Sequence, residues 1–205
     1  MYTPEHYKQT DHSKIIDFIK QNGFGILINQ VNGKPWATHI PLELDKDENN
    51  QDILVGHIAR VNPQAKNLES SNEVLCIFNG PHSYISSSWY KEEEVPTWDY
   101  IAVHVYGKIA IQSEKEVLNA MAKLVDKYEQ NSKKPDTINS YSEKTLRQVK
   151  GVIGFKILIS DIQATYKLSQ TRTEDHDNII NELKETNDAG ALKIAEEIKE
   201  SSSNL

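Results

Sequence analysis

Arg60 and Lys66 bracket an Asn-Pro pair in the run Gly56-His-Ile-Ala-Arg-Val-Asn-Pro-Gln-Ala-Lys66. The pattern reads as a strand that delivers a guanidinium to a helix start. Asn62 serves as N-cap, Pro63 as the first helical residue, and an ammonium follows one turn beyond. A guanidinium holds an anion by two parallel N–H donors, and free N–H groups at a helix entrance add to it. On spacing alone the same run also reads, and more simply, as an ordinary capped helix of about two turns to Glu69 beside two surface cations.

Two further blocks carry polar chemistry. Between Gly80 and Tyr100 stand His82, Tyr84, Trp89, Tyr90, Trp98 and several hydroxyls. Such a mixture lines pockets for flat ligands, with rings covering the faces and polar groups meeting the edges. It equally suits the rim of a β core. Lys167-Leu-Ser-Gln-Thr-Arg172 leaves a strand with two cations and an amide, which reach an anion or simply turn the chain into the acidic segment beyond.

His39, His57 and His104 fall on expected strands and His82 in a loop. They show no HxH, HxxxH or HExxH spacing, so no metal site is expected. No GxGxxG or GxxxxGK[ST] loop occurs, and Ser88 lacks the glycines of a nucleophile elbow. The single cysteine, Cys76, lies in an apolar run and reads as core.

Positioning these residues requires mostly strands. A helix over 11–22 is capped by Asp11 and carries Ile15, Ile16, Phe18 and Ile19. The period then drops to two. Strands are expected at 24–31, 34–41, 53–58, 74–78, 101–111, 152–160 and 162–167, with Asn32-Gly33 as a hairpin turn and Gly107 as a bulge. Ser113 and Glu116 form a capping box for a helix to about Gln130 that buries Val117, Met121, Leu124, Val125 and Tyr128. A short helix is expected near 145–149 and two more at 176–186 and 189–200, before a frayed tail. Consecutive strands without βαβ alternation predict a mainly β fold with flanking helices, built as an antiparallel barrel.

The 205 residues suffice for one core. No apolar run approaches the ~20 residues that span a bilayer, and the N-terminus resembles no export signal; a cytoplasmic protein is expected. The net charge of −7 is uneven. Residues 174–205 hold nine acids against three lysines, which leaves the rest near neutrality. The expected organisation is a domain over 1–173 with an acidic helical segment, 174–205, packed on it. With only three arginines in the chain, Arg60, Arg147 and Arg172, direct DNA contact is disfavoured.

Several blocks occur together in order: Met1-Tyr-Thr-Pro-Glu-His-Tyr7, Ala37-Thr-His-Ile-Pro41, Gly56-His-Ile-Ala-Arg-Val-Asn-Pro63, Phe78-Asn-Gly-Pro-His-Ser-Tyr-Ile-Ser86, Ser88-Trp-Tyr90, Val95-Pro-Thr-Trp98 and Lys167-Leu-Ser-Gln170. In these the chain resembles the PaiB family of FMN-binding negative transcriptional regulators over nearly its whole length. The resemblance implies an FMN-binding split barrel, a homodimer with flavin at the subunit interface. It makes Arg60, Asn62 and Lys66 phosphate-side candidates and places Thr38, His39 and His57 in the same crevice. It makes Trp89, Tyr90 and Trp98 aromatic walls, and Lys167, Gln170 and Arg172 a terminal block reaching toward the cofactor. Three positions depart from the family pattern: Ser87 for proline, and Asp99 and Thr171 for asparagine.

The resemblance implies repression of protease and sporulation-type genes, and the charge count points to action through a partner or as a flavin-dependent sensor rather than by direct DNA contact. The alternatives are an FMN-dependent oxidoreductase akin to pyridoxamine-phosphate oxidases or flavin reductases, and a haem-binding barrel with His39, His57 or His82 as axial ligand.

Overall fold

Apolar residues three and four apart give the first helix its buried stripe. In the computed structural model, which describes residues 1–68 and 73–202, α1 spans His12–Gln21 and buries Ile15, Phe18 and Ile19. Asp11 caps it, its Oδ1 accepting from the Ser13 N–H at 2.9 Å. Seven strands make one sheet: β1 Lys8–Gln9, β2 Phe24–Val31, β3 Lys34–Lys46, β4 Asp52–Ala59, β5 Val74–Ile85, β6 Thr97–Ile111 and β7 Val152–Lys167. Their order is β1-β7-β4-β3-β2-β5-β6, and β6 also pairs with β7, so the order closes on itself. Every recorded register is antiparallel.

Asn32 and Gly33 both take positive φ, +52° and +75°, which turns β2 into β3 in the sense that matches strand twist. Several strands outrun their expected ends because they change partner. β3 pairs with β2 up to Pro41 and with β4 from Leu42 to Lys46. The two strands expected at 152–160 and 162–167 are one, β7, whose first part pairs with β4 and whose last part pairs with β1. β5 does not stop at Gly80-Pro81. Its register with β2 covers Leu75–Ile77, so Pro81 breaks none of those bonds. His82 accordingly lies in a strand, not a loop. At Gly80 a Cβ would meet the Phe18 ring at 2.5 Å, so the missing side chain admits that ring.

Gly107 marks a close approach of β6 to β7. It is buried inside β6, and a Cβ there would stand 2.4 Å from the Leu158 carbonyl oxygen. The expected capping box of α2, Glu114–Glu129, is complete, with Ser113 and Glu116 bonded reciprocally. Only Val117 of its apolar residues is buried; Met121, Leu124 and Val125 are half-exposed and Tyr128 is exposed. The end of α2 is tied by polar contacts instead. Glu43 accepts from Lys127 Nζ at 2.6 Å and from the Tyr128 hydroxyl at 2.8 Å. α3, Glu143–Leu146, runs into a 3-10 turn at Arg147–Gly151. α4, His176–Glu185, and α5, Ala189–Ser202, close the described chain. Ser201 and Ser202 belong to α5, and the rest of the expected tail lies outside the described residues.

The chain divides into two compact units. One comprises residues 1–18, 79–104 and 163–205, the other 19–78 and 105–162. The second has a core that includes Leu27, Leu42, Leu54, Phe78 and Phe155, and the first has one that includes Ile85, Ile101, Ile179, Leu183 and Ile194. Among the described residues no helix is long and apolar enough to cross a membrane.

Candidate functional site

The expected site residues divide between the units: Thr38, His39, His57, Arg60, Asn62 and Lys66 in the second, and Trp89, Trp98, Lys167, Gln170 and Arg172 in the first. In the second unit, β4 ends at Ala59 and Asn62 caps the next turn as expected, its Oδ1 accepting the Gln64 N–H at 2.9 Å. The turn is not the α-helix anticipated. It is a five-residue 3-10 turn, Pro63–Asn67, and Glu69 lies outside the described residues. So short a turn has no useful macrodipole. An anion at this turn would meet side chains rather than a helix end.

A polar net fixes that turn to the hairpin. Asn62 Nδ2 donates to Thr38 Oγ1 at 3.1 Å, Thr38 Oγ1 donates to Gln64 Oε1, and Gln64 Nε2 donates to the Leu27 carbonyl at 3.1 Å. Gln64 has no solvent exposure, so each bond replaces one that water would have made. Thr38 and Asn62 are therefore spent on positioning. Arg60 is also anchored, its Nε donating to the Lys150 carbonyl and its Nη2 to the Val152 carbonyl, at 3.2 and 3.0 Å. A guanidinium has five N–H donors, so three remain for a ligand.

Arg60 and Lys66 line one cavity of about 600 Å³ together with Lys150, Gln112 and Glu114, over an apolar floor that includes Val117 and Ile153. No carboxylate pairs with Arg60, Lys66 or Lys150 among the described residues. Gln112 Oε1 is buried and has no donor among the described residues. The volume lies within the range of small-molecule sites. Three cations, an apolar wall and an orphaned acceptor fit a phosphorylated ligand with a polyol or ring N–H. Sequence reasoning missed Lys150 and Gln112, because only the meeting of β4, β6 and β7 brings them beside Arg60.

His57 lines a smaller neighbouring cavity, about 130 Å³, which Gln112 also borders. Burial pushes its pKa below the ordinary histidine value, so the neutral ring is favoured. His39 is exposed on β3 and stacks on Phe24, ring centroids 6.5 Å apart. Phe24, Ile26, Ile28, Ala37, His39, Leu75 and Ile77 form one face of β2, β3 and β5 that the sheet leaves exposed or half-exposed. Cys76 points the opposite way into the core, where burial raises its thiol pKa to about 12 and leaves it unreactive.

In the first unit, Trp98 is 53% exposed and lies between His82 and Tyr84, with centroids 6.0 Å from each. Lys167 Nζ donates to the Trp98 carbonyl at 2.9 Å and to Thr97 Oγ1, and sits 5.7 Å above the Tyr7 ring. Gln170 folds back on its own strand exit, accepting from the Leu168 N–H at 2.8 Å and donating to the Tyr166 carbonyl. Arg172 pairs with Glu94. The Trp89 carbonyl accepts from Asn178 Nδ2 at 2.8 Å, which ties that turn to α4. Beneath them Asp99 is fully buried and bonded to Ser169, a pairing that spacing did not reveal. Among the described residues no group of three or more His, Cys, Asp or Glu is arranged to hold a metal ion.

A family model described as "Putative FMN-binding domain" matches residues 1–161. The chain is 42% identical over 198 residues to "Protease synthase and sporulation protein PAI 2" of Bacillus subtilis, covering 96% of this chain and 95% of that protein. It is 31% identical to an uncharacterized protein of Emericella nidulans, covering 88% and 89%. Among solved structures it is similar to an FAD and haem binding protein from Mycobacterium smegmatis, with a TM-score of 0.59, 12% identity, and coverage of 78% and 73%. At that identity the likeness speaks for the fold alone, a split barrel. With the family model spanning most of the residues and the Bacillus protein matched nearly end to end, the chain belongs to the PaiB family of FMN-binding proteins.

Proposed function

We propose that the protein works as a homodimer that holds FMN at the subunit interface and acts as a flavin-dependent regulator of gene expression through a partner. The observation that carries the reading is the cavity where Arg60 and Lys66 stand unpaired by carboxylates, among the described residues, over an apolar floor. The flavin phosphate binds there, and bound FMN supplies redox chemistry that reports on the cell. His39, Thr38, His57 and Asn62 shape the same side. Trp89, Trp98, Lys167, Gln170 and Arg172 form a second set whose exposed rings suit a flat ligand. The exposed apolar face of β2, β3 and β5 supports association with a second copy, since isolated monomers rarely leave such a patch open. A chain with three arginines and a −7 charge supports regulation without direct DNA contact; we place its action in the cytoplasm.

The test is a visible absorption spectrum of the purified protein after FMN addition and desalting, with its mass in solution. Flavin bands that stay with a species of twice the chain mass, and that are lost in Arg60→Ala, are the expected result. Salt-sensitive, sequence-specific DNA binding by the protein alone would overturn the partner-mediated reading. Catalytic turnover with a nicotinamide cofactor would replace regulation by an oxidoreductase.

A further inference from the structure

Three cations are more than a positioning device needs, and the third is not explained by packing. Lys150 is exposed, stands in the 3-10 turn before β7, and lines the same cavity as Arg60 and Lys66. Its backbone carbonyl receives Arg60 Nε at 3.2 Å, so the two residues are locked together while the Lys150 ammonium has no carboxylate partner among the described residues. One carboxylate, Glu114, lies on the lining, which leaves the cavity with a surplus of two positive charges. A phosphomonoester carries about −1.5 to −2 at neutral pH, so that surplus matches it.

Gln112 supplies a second, independent observation. It lies just beyond β6, where its N–H donates to the Gly154 carbonyl at 2.9 Å, while its buried Oε1 receives no donor among the described residues. An acceptor buried without a donor is costly unless a ligand brings one. Ribityl hydroxyls are donors of the right kind, carried on the same short chain that bears the phosphate.

We infer that Lys150 is the third cation of the phosphate site and Gln112 the acceptor for the ribityl chain, so that this cavity selects FMN over unphosphorylated riboflavin. The inference rests on the FMN reading above and names residues that the family resemblance did not supply. Neither residue is a catalytic one; both bind and orient.

The experiment is titration with FMN and with riboflavin, read by quenching of flavin fluorescence. The wild-type protein binds FMN more tightly. Lys150→Met weakens FMN by roughly ten- to a hundredfold, the worth of a hydrogen bond to a charged group, and leaves riboflavin unchanged. Lys150→Arg restores the preference. Gln112→Leu weakens both flavins by the same factor without lowering the melting temperature, because Oε1 has no partner to lose. If Lys150→Met leaves FMN affinity intact while Arg60→Ala abolishes it, the Lys150 assignment is overturned and the FMN site stands. A wild-type protein that binds both flavins equally overturns the phosphate placement itself.

Discussion

Ser169 Oγ lies 2.6 Å from Asp99 Oδ2 and donates to it where no solvent reaches. The second carboxylate oxygen, Oδ1, is buried and has no partner among the described residues. Burial raises the Asp99 pKa to about 6; the Ser169 hydrogen bond and the charges of Lys167 and His176 pull the other way and do not cancel it.

A carboxyl with a folded pKa above its unfolded value holds its proton more tightly when folded. Stability from this group is complete below about pH 4 and is lost as pH rises toward 6. From an ordinary value of 3.8 to about 6 the loss is up to roughly 3 kcal/mol at neutral pH. Asp99→Asn, the residue the family pattern carries, is expected to stabilise the protein at pH 7 by up to that amount and to change nothing at pH 4. Denaturant melts at the two pH values measure it; equal effects at both would assign the change to packing.

Ser169 also binds the C-terminal helices. Its carbonyl accepts from His176 Nε2 at 2.9 Å, and His176 Nδ1 meets Ser202 Oγ at 2.7 Å. Because a carbonyl only accepts, Nε2 carries a proton. His176→Ala strands a buried carbonyl and parts the start of α4 from the end of α5, at a cost of about 2–4 kcal/mol. Hydrogen exchange is expected to quicken in α4 and α5 and stay unchanged in the β2–β3 hairpin. Uniform quickening would mean that these helices do not open on their own.

Asn62 holds the Lys66 turn through the Gln64 N–H and Thr38 Oγ1. Asn62→Ala is expected to cost about 1–2 kcal/mol of stability and to weaken FMN binding more than Thr38→Val, which leaves the cap intact. Paired melting curves and flavin titrations decide it, and equal losses in the two variants would contradict the cap's role.

Gly107 has no room for a methyl group, with the Leu158 carbonyl oxygen 2.4 Å and Ile157 Cγ2 2.6 Å from the place a Cβ would take. Gly107→Ala therefore pushes β6 off β7 and is expected to destabilise by about 3 kcal/mol or more. Gly151→Ala meets nothing within 4 Å and serves as the neutral control. Similar melting temperatures for the two variants would show that β7 yields freely.

Where a signal is local, the amino-acid order alone determined the outcome. Asn32-Gly33 turns because those residues tolerate positive φ, Ser113 and Glu116 close a box across one helical turn, and Asp11 and Asn62 each cap the turn next to them. The ordered blocks from Met1 to Gln170 were enough to name the family and its cofactor. Tertiary structure alone decided where pairing is long-range. β3 and β7 run past their apparent ends because each exchanges one neighbour for another midway, in β3 immediately after Pro41. Asn62 caps a 3-10 turn because Gln64 is drawn inward to the Leu27 carbonyl. Asp99 is a buried acid, and Lys150 shares a cavity with Arg60 ninety residues away, because separate strands meet. Local hydrogen bonds are written in neighbouring residues; burial and convergence exist only once distant segments have given up the entropy of being apart.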